Sequence, residues 1–204
     1  ISLEAKEGLA LINGTQAMCA VGCLALAEAM ELSKIADICG ALTCEALNGI
    51  TDAYDEKVQR VRPHAGQIAC AKNLLDLLEG SQFTTRQGEL KVQDAYAIRC
   101  MPQVHGAVKD ALEHIKKVME IEINSATDNP VIFSEEDEVI SGGNFHGEPV
   151  AVNMDYLSIV VSELSNIAER RVERLVNPML NEGLPAFLVG NGGINSGLMI
   201  AQYT

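Results

Sequence analysis

A run of apolar residues between Val150 and Leu175 constrains the fold of this chain more than any other feature. Apolar residues stand at positions 150, 154, 157, 161, 164, 168, 172 and 175. The spacing between them is mostly four and three residues in turn, close to that of a coiled-coil seam. Ile159, Val160 and Ile167 add a second apolar face. A helix with two apolar faces needs neighbours on both sides, so the pattern predicts a multi-helix bundle that other subunits complete.

Helical patterns also fill most of the remaining chain. Thr15 and Ser33 are suitable N-caps for two of the predicted helices, and Asn48-Gly49 is a suitable end. The predicted helices before the seam cover residues 15–31, 33–47, 67–78 and 104–122.

The period changes near residue 129, where "NPVIF", "SEEDE" and "VISGG" indicate a strand, an acidic turn and a strand. Pro149 then suits the first turn of the long helix. The sequence therefore predicts an all-α fold, a long-helix bundle with one small β-hairpin.

Composition and charge narrow the classes of function. The chain has 204 residues and a formal net charge of -13, which argues against binding to nucleic acid or to anionic membranes. No apolar run is expected to reach the length of a membrane span. The six cysteines lie in apolar helical stretches without a CxxC pair, which favours reduced core residues in a cytoplasmic protein and no metal site.

Four polar segments stand out against this apolar background: "LINGTQ", "QDAYAIRC", "NSATDNP" and "SGGNFHGEPVA". Each alone suits a turn or a helix end. In the second, Gln93, Tyr96 and Arg99 are three apart, so they would line one side of the last turns of a helix that bends or stops at Met101-Pro102.

Together the segments resemble the aromatic amino acid ammonia-lyases, and within that family the members that act on histidine. The resemblance covers nearly the whole chain in the family's order, and its motifs are "GLALINGTQ", "RPHAGQ", "QDAYAIRC", "NSATDNP", "SGGNFHGEPVA" and "LPAFL". It implies an enzyme that eliminates ammonia from L-histidine to give urocanate, using methylidene-imidazolone formed from an Ala-Ser-Gly run. It also implies a homotetramer of long helices whose active sites are built by several subunits.

The resemblance assigns three roles within "QDAYAIRC". Arg99 would bind the substrate carboxylate, since a guanidinium matches a carboxylate with two hydrogen bonds. Tyr96 would lie near the electrophile and the amino group as a proton carrier or donor, and Gln93 would support this network.

Three further roles come from the other motifs. Asn13 would bind the carbonyl of the prosthetic group or the bound amine, and Phe145 would pack against the prosthetic ring. His146 is a candidate for contact with the substrate, and its alternative role is local packing. The Gly142-Gly143 pair would allow the backbone to turn.

The chain contains no Ala-Ser-Gly run. In the family, that run precedes "GLALINGTQ". A catalytic tyrosine and a histidine that recognises the substrate also lie upstream, and a glutamate near the substrate lies downstream. The first residue is not Met, and the last stretch stays apolar. We therefore expect residues 1–204 to be the central part of a larger ammonia-lyase fold, truncated at both ends.

Several alternatives stay open. Phenylalanine or tyrosine ammonia-lyases and aminomutases share the motifs, although "NFHGEP" favours histidine. Membership of the fumarase and argininosuccinate lyase group is not supported, because the Gly-Ser-Ser loop of that group is missing from this sequence. A non-catalytic helical oligomerisation module would explain the seam. A metal site could use His146 and Glu148, or Cys100 and His105, but neither pair has a third ligand at normal spacing.

A geometric expectation follows from sites shared between subunits. Tyr96 and Arg99 should share one helical face, whereas Asn13 should not touch Arg99 within one chain. The seam between Val150 and Leu175 should be buried between chains, leaving a large apolar stripe exposed on the isolated chain.

Overall fold

The computed structural model describes all residues, 1–204, and is predominantly helical with one two-stranded antiparallel sheet. The helices are α1 (Glu7–Ile12), α2 (Gln16–Ala46), α3 (Glu56–Arg60), α4 (Ala65–Leu77), α5 (Tyr96–Arg99), α6 (Met101–Glu122) and α7 (Glu148–Val176). The strands are β1 (Val131–Phe133) and β2 (Glu138–Ile140), and short 3-10 helices cover Thr51–Tyr54, Ala186–Leu188 and Met199–Gln202. The predicted helical fold class with one hairpin is confirmed.

The hairpin and the long helix agree closely with their sequence patterns. Val131 pairs with Ile140 and Phe133 with Glu138, so the acidic stretch between them forms the predicted turn. The long helix α7 ends at Val176, as its pattern predicts.

The chain divides into two compact units, to which the three long helices all contribute. The first unit consists of Ile1–Met30 and Ala111–Ile159, and the second of Glu31–Asp110 and Val160–Thr204.

In the first unit, apolar side chains of α2, α6 and α7 form the core. Ile115 and Val150 are fully buried, and Leu26, Met119 and Leu157 are almost so. A Cβ on Gly22 would lie 2.9 Å from the sulfur of Met154, so α2 and α7 approach closely at this point.

In the second unit, the core surrounds the segment that carries "QDAYAIRC". Its members come from α2, α4, α5, α6, α7 and the segment between α2 and α3, and include Cys44, Leu47, Tyr54, Cys70, Leu74, Ile98, Met101 and Ile167. Gly66 and Gly106 let α4 and α6 meet at the backbone, because a Cβ on Gly66 would lie 2.1 Å from the carbonyl oxygen of Gly106.

The prediction of two helices over residues 15–47 is wrong, because α2 runs unbroken from Gln16 to Ala46. Ser33, predicted as a cap, lies inside the helix, where its hydroxyl accepts a hydrogen bond from Lys109 at 3.1 Å. The predicted end is confirmed: Asn48 has a left-handed φ of 47°, and the Gly49 amide donates to the Cys44 carbonyl at 2.7 Å.

The prediction that the α7 seam is buried between chains is also wrong. Val150, Leu157 and Leu164 are at most 6% exposed within this chain, and the other five seam positions are half-buried, because neighbouring helices of the same chain cover them. Ile159 is exposed but Val160 and Ile167 are buried, so the second face is covered in part. The expected exposed apolar stripe lies instead on α2, at Val21, Leu24, Leu32, Ile35, Ile38 and Leu42.

Two expectations drawn from composition need correction. By length and composition alone, the helical stretch Glu7–Ala46 is apolar enough to cross a membrane, contrary to the sequence analysis. One such helix is weak evidence, because the core helices of soluble bundles pass the same test. Among the cysteines, which are all free, Cys39 is exposed and is therefore not a core residue.

Candidate active site

The segment from Gln93 to Arg99 forms a compact turn on the core of the second unit. Ala95 is extended (ψ 157°), and a single helical turn, α5, follows. Ile98 is 1% exposed, and its carbonyl accepts a hydrogen bond from the Tyr54 hydroxyl at 3.0 Å. This anchor in the core leaves Tyr96, which is 72% exposed, on the outer side.

This segment differs from the prediction that it closes a helix. Gln93 precedes α5 and is not helical, and Cys100 separates α5 from α6. Pro102 occupies the first turn of α6, where its missing N–H costs no intrahelical hydrogen bond. The proline therefore begins the next helix instead of ending the previous one.

Arg99 nevertheless contacts both Gln93 and Tyr96, although only Tyr96 and Arg99 share the helical turn that the spacing predicts. One terminal nitrogen of Arg99 (Nη1) donates to Gln93 Oε1 at 2.7 Å, and the guanidinium carbon lies 4.7 Å from the centroid of the Tyr96 ring. Arg99 Nε is buried and has no hydrogen-bond partner. The guanidinium is thus oriented by two neighbours and retains unused donor capacity.

Arg99 and Gln93 also line a cleft of about 230 Å³. Two acidic residues, Asp52 and Asp94, share this cleft. Each is already paired, Asp52 with Arg86 at 3.2 Å and Asp94 with Lys91 at 2.9 Å, so neither carboxylate takes the Arg99 guanidinium as its partner.

Asn13, Phe145 and His146 lie in the other unit. Asn13 is half-buried and follows the last residue of α1, and its backbone N–H donates to the Leu9 carbonyl at 2.9 Å. Gly14 follows, and a Cβ there would lie 2.6 Å from the carbonyl oxygen of Thr127. The glycine therefore allows "LINGTQ" to touch "NSATDNP".

The "SGGNFHG" segment meets the same motif. Asn129 Oδ1 accepts hydrogen bonds from the Gly142 amide at 2.8 Å and the Ser141 hydroxyl at 3.1 Å. Asn144 donates to the Ala126 carbonyl at 3.3 Å. Three of the four polar segments therefore converge in one unit.

Phe145 is 38% exposed, so its ring is accessible to a ligand. His146 Nδ1 accepts a hydrogen bond from the Glu148 amide at 3.2 Å, which gives it a local role at the start of α7. A substrate contact for His146 stays a prediction. The backbone turns after Gly142-Gly143 as expected, with the His146 amide donating to the Gly143 carbonyl at 2.9 Å. Neither glycine has a positive φ and no atom would crowd a Cβ on either, so this turn does not require glycine.

A buried polar cluster in the second unit escaped the sequence analysis. Asp37 accepts hydrogen bonds from His105 Nδ1 at 2.8 Å and Asn73 at 2.8 Å, and lies 3.0 Å from the Lys109 ammonium. Burial alone would raise the pKa of Asp37, but these hydrogen bonds outweigh it and lower the pKa to about 2. A signal existed: Ser33 and Asp37, and likewise His105 and Lys109, are four residues apart on helices.

His105 and Arg171 complete the same cluster. Burial, which outweighs the effect of Asp37, lowers the pKa of His105, so the ring is neutral and its Nε2 accepts from Arg171 at 3.3 Å. Asp37, Cys70 and His105 have ligand atoms within 4.8 Å of one another, as a metal site requires. Because Lys109 and Arg171 already balance the carboxylate, we interpret the cluster as a hydrogen-bond network that joins α2, α4, α6 and α7.

Comparison with known proteins assigns the chain to a family. The model of the aromatic amino acid lyase family matches residues 1–204. The histidine ammonia-lyase of Alkaliphilus oremlandii is 62% identical over the whole chain, which spans 40% of that protein's length. The structure of histidine ammonia-lyase from Trypanosoma cruzi is 48% identical with a TM-score of 0.89, and the chain covers 37% of it.

Tyrosine aminomutase from Streptomyces globisporus matches in fold as well, with 40% identity, a TM-score of 0.94 and 42% of its chain covered. The whole of the present chain is aligned in each of these comparisons. Fold similarity thus extends across enzymes named for different amino acids, whereas sequence identity is higher to the two histidine ammonia-lyases.

Proposed function

Because this chain belongs to the aromatic amino acid lyase family, we propose that it is the central part of an ammonia-lyase that converts L-histidine to urocanate and ammonia. The chain spans only 40% of the length of the curated relative it matches. The proposed activity is that of a complete polypeptide in which residues 1–204 form one segment.

The arrangement around Arg99 carries this proposal. Its guanidinium is held by Gln93 and stacked on Tyr96, and the single hydrogen bond from Nη1 leaves most donors of the group unused. A substrate carboxylate would satisfy such a group with two parallel charge-assisted hydrogen bonds. We assign carboxylate binding to Arg99 and support of that side chain to Gln93.

Tyr96 is proposed to exchange a proton near the substrate's amino group. Its ring lies against the Arg99 guanidinium, so a substrate bound to Arg99 comes within reach of the tyrosine hydroxyl. Its high exposure leaves the hydroxyl accessible to a ligand.

Asn13 and Phe145 are proposed to hold the methylidene-imidazolone group, which would supply an electrophile for the amino group. The residues present suit a small ring with a carbonyl: Asn13 is half-buried and its side-chain amide can donate a hydrogen bond, and the Phe145 ring is accessible for packing. The Ala-Ser-Gly run from which the group would form does not occur in residues 1–204.

Histidine is proposed as the substrate because the identity to histidine ammonia-lyases is the higher one. Phenylalanine, tyrosine or an aminomutase reaction is the alternative, supported by the fold match to tyrosine aminomutase.

We further propose a homo-oligomer, a tetramer by the resemblance, in which Asn13 and Phe145 of one subunit join Tyr96 and Arg99 of another. The exposed stripe on α2 supports this, because large apolar patches on a protein surface mark interaction sites. All six cysteines are free, which supports a cytoplasmic location.

The proposed function predicts that the complete polypeptide produces urocanate from L-histidine and that residues 1–204 alone produce none. The isolated chain lacks the Ala-Ser-Gly run that forms the electrophile, so it should not react. Absorbance assays with L-histidine, L-phenylalanine and L-tyrosine on both proteins would check this.

Turnover by the isolated chain would contradict the assignment of the electrophile to other residues. Cinnamate or coumarate as the main product of the complete polypeptide would favour the alternative substrates. If the complete polypeptide acted on none of the three, the α2 stripe would favour a non-catalytic oligomerisation module.

A further inference from the structure

A second, buried ion pair lies directly beside the proposed carboxylate-binding residues. The Asp94 side chain is 1% exposed, and its Oδ1 lies 2.9 Å from the Lys91 ammonium. Its Oδ2 accepts a hydrogen bond from the Ile50 amide at 2.5 Å. The carboxylate therefore joins the irregular segment before α5 to the loop that follows α2.

Lys91 extends this connection to two other parts of the same unit. Its ammonium donates to the Leu47 carbonyl at 2.8 Å and to Glu182 Oε1 at 3.0 Å. Burial lowers the pKa of Lys91, but the hydrogen bonds with Asp94 and Glu182 outweigh it and raise the pKa above the ordinary value for lysine. The ammonium is thus charged and has three partners, which matches its three donors.

The position of this pair in the chain couples it to Arg99. Asp94 directly follows Gln93, whose side chain accepts the hydrogen bond from Arg99. Residues 92–94 make no backbone–backbone hydrogen bonds. On either side of them, the Lys91 carbonyl accepts from the Gly88 amide and the Ala95 carbonyl accepts from amides of α5. Within residues 92–94, the contacts of the Asp94 side chain with Lys91 and the Ile50 amide are therefore what ties the backbone beside Gln93 to the core.

We propose that Asp94 and Lys91 are positioning residues for the carboxylate-binding arginine: they fix the backbone from which Gln93 orients Arg99. This inference rests on the proposed function, since it concerns recognition of the substrate carboxylate. It adds two residues that neither contact the Arg99 guanidinium nor belong to its cation–π pair.

The test uses Asp94→Asn in the complete enzyme, with L-histidine as substrate and histamine as a competitive ligand that lacks the carboxylate. Loss of the charge weakens the link to Lys91, so Gln93 holds Arg99 less firmly. We expect KM for L-histidine to rise roughly tenfold with a smaller change in kcat, and the inhibition constant of histamine to change by less than about twofold. General damage to the fold would weaken both ligands alike, which would overturn the proposal.

A double variant asks whether Asp94 acts through Arg99. If it does, adding Asp94→Asn to Arg99→Lys changes KM by less than about twofold, because the oriented guanidinium is already lost. Fully additive effects on KM would overturn the proposal. Asp76→Asn, which removes an exposed carboxylate paired with Lys72, is the matched control and should leave KM and kcat unchanged.

Glu182→Gln is a milder variant in case Asp94→Asn does not fold, because the Glu182 side chain is 32% exposed. It should raise KM for L-histidine in the same direction, by about twofold to threefold, and spare histamine. An unchanged KM in both variants, with L-histidine turned over normally, would overturn only the positioning role. Absence of turnover in the unsubstituted enzyme would instead contradict the proposed function, and this inference with it.

Discussion

Arg99→Lys in the complete enzyme is expected to raise KM for L-histidine by roughly tenfold to hundredfold. A charge-assisted hydrogen bond contributes about 1.5–3 kcal/mol, and a lysine ammonium cannot reproduce the paired geometry of a guanidinium. Lysine would also lose the stacking on Tyr96, 4.7 Å from the guanidinium carbon. Steady-state kinetics with L-histidine measure the change directly.

Tyr96→Phe provides the contrast to this variant. Phenylalanine keeps the ring under Arg99 but removes the hydroxyl assigned to proton transfer, so kcat should fall more than KM rises. If Arg99→Lys left kcat/KM unchanged, Arg99 would return to the role of a cation at a helix end.

The largest expected effect on stability belongs to Asp37→Asn. The substitution leaves Lys109 and Arg171 without the carboxylate that balances their charges, and breaking a buried charge pair typically costs about 3–5 kcal/mol. Denaturant unfolding of the complete protein, compared at equal protein concentration, should show a clearly lower midpoint.

The pH dependence of stability follows from the same carboxylate. Its pKa falls from 3.8 to about 2 on folding, so its contribution is fully present above about pH 4 and is lost as the pH falls towards 2. Asp37→Asn should therefore lose this part of the acid sensitivity. The exposed Asp76→Asn is the control, with an expected change within about 0.5 kcal/mol, and an equally small change for Asp37→Asn would contradict the network.

Local patterns explain why much of the fold could be predicted. The long helix α7 and the hairpin depend on periods of apolar residues that are visible within a few turns of chain. The false break at Ser33 arose because a serine resembles a cap, whereas its actual partner, Lys109, is 76 residues away. The covered seam of α7 could not be told from a subunit interface, because both bury the same apolar residues.

In the candidate site too, local spacing could be predicted from the sequence and contacts between distant residues could not. Gln93, Tyr96 and Arg99 were found through their spacing, and Arg99 contacts the other two in the structure. Asp94 escaped because its partner, the Ile50 amide, is 44 residues away, and Asp37 because its partner His105 is 68 residues away. The role of such a buried polar group becomes visible only when the fold brings distant segments of the chain together.

The most direct test of the central claim is to mix two inactive subunits. Asn13→Ala and Arg99→Ala variants of the complete enzyme would be produced together with different affinity tags, and mixed assemblies would be isolated by sequential capture. If Asn13 and Arg99 act in one site contributed by different subunits, random mixing restores about a quarter of the normal sites and urocanate forms from L-histidine. Mixed assemblies no more active than either variant alone would contradict the account.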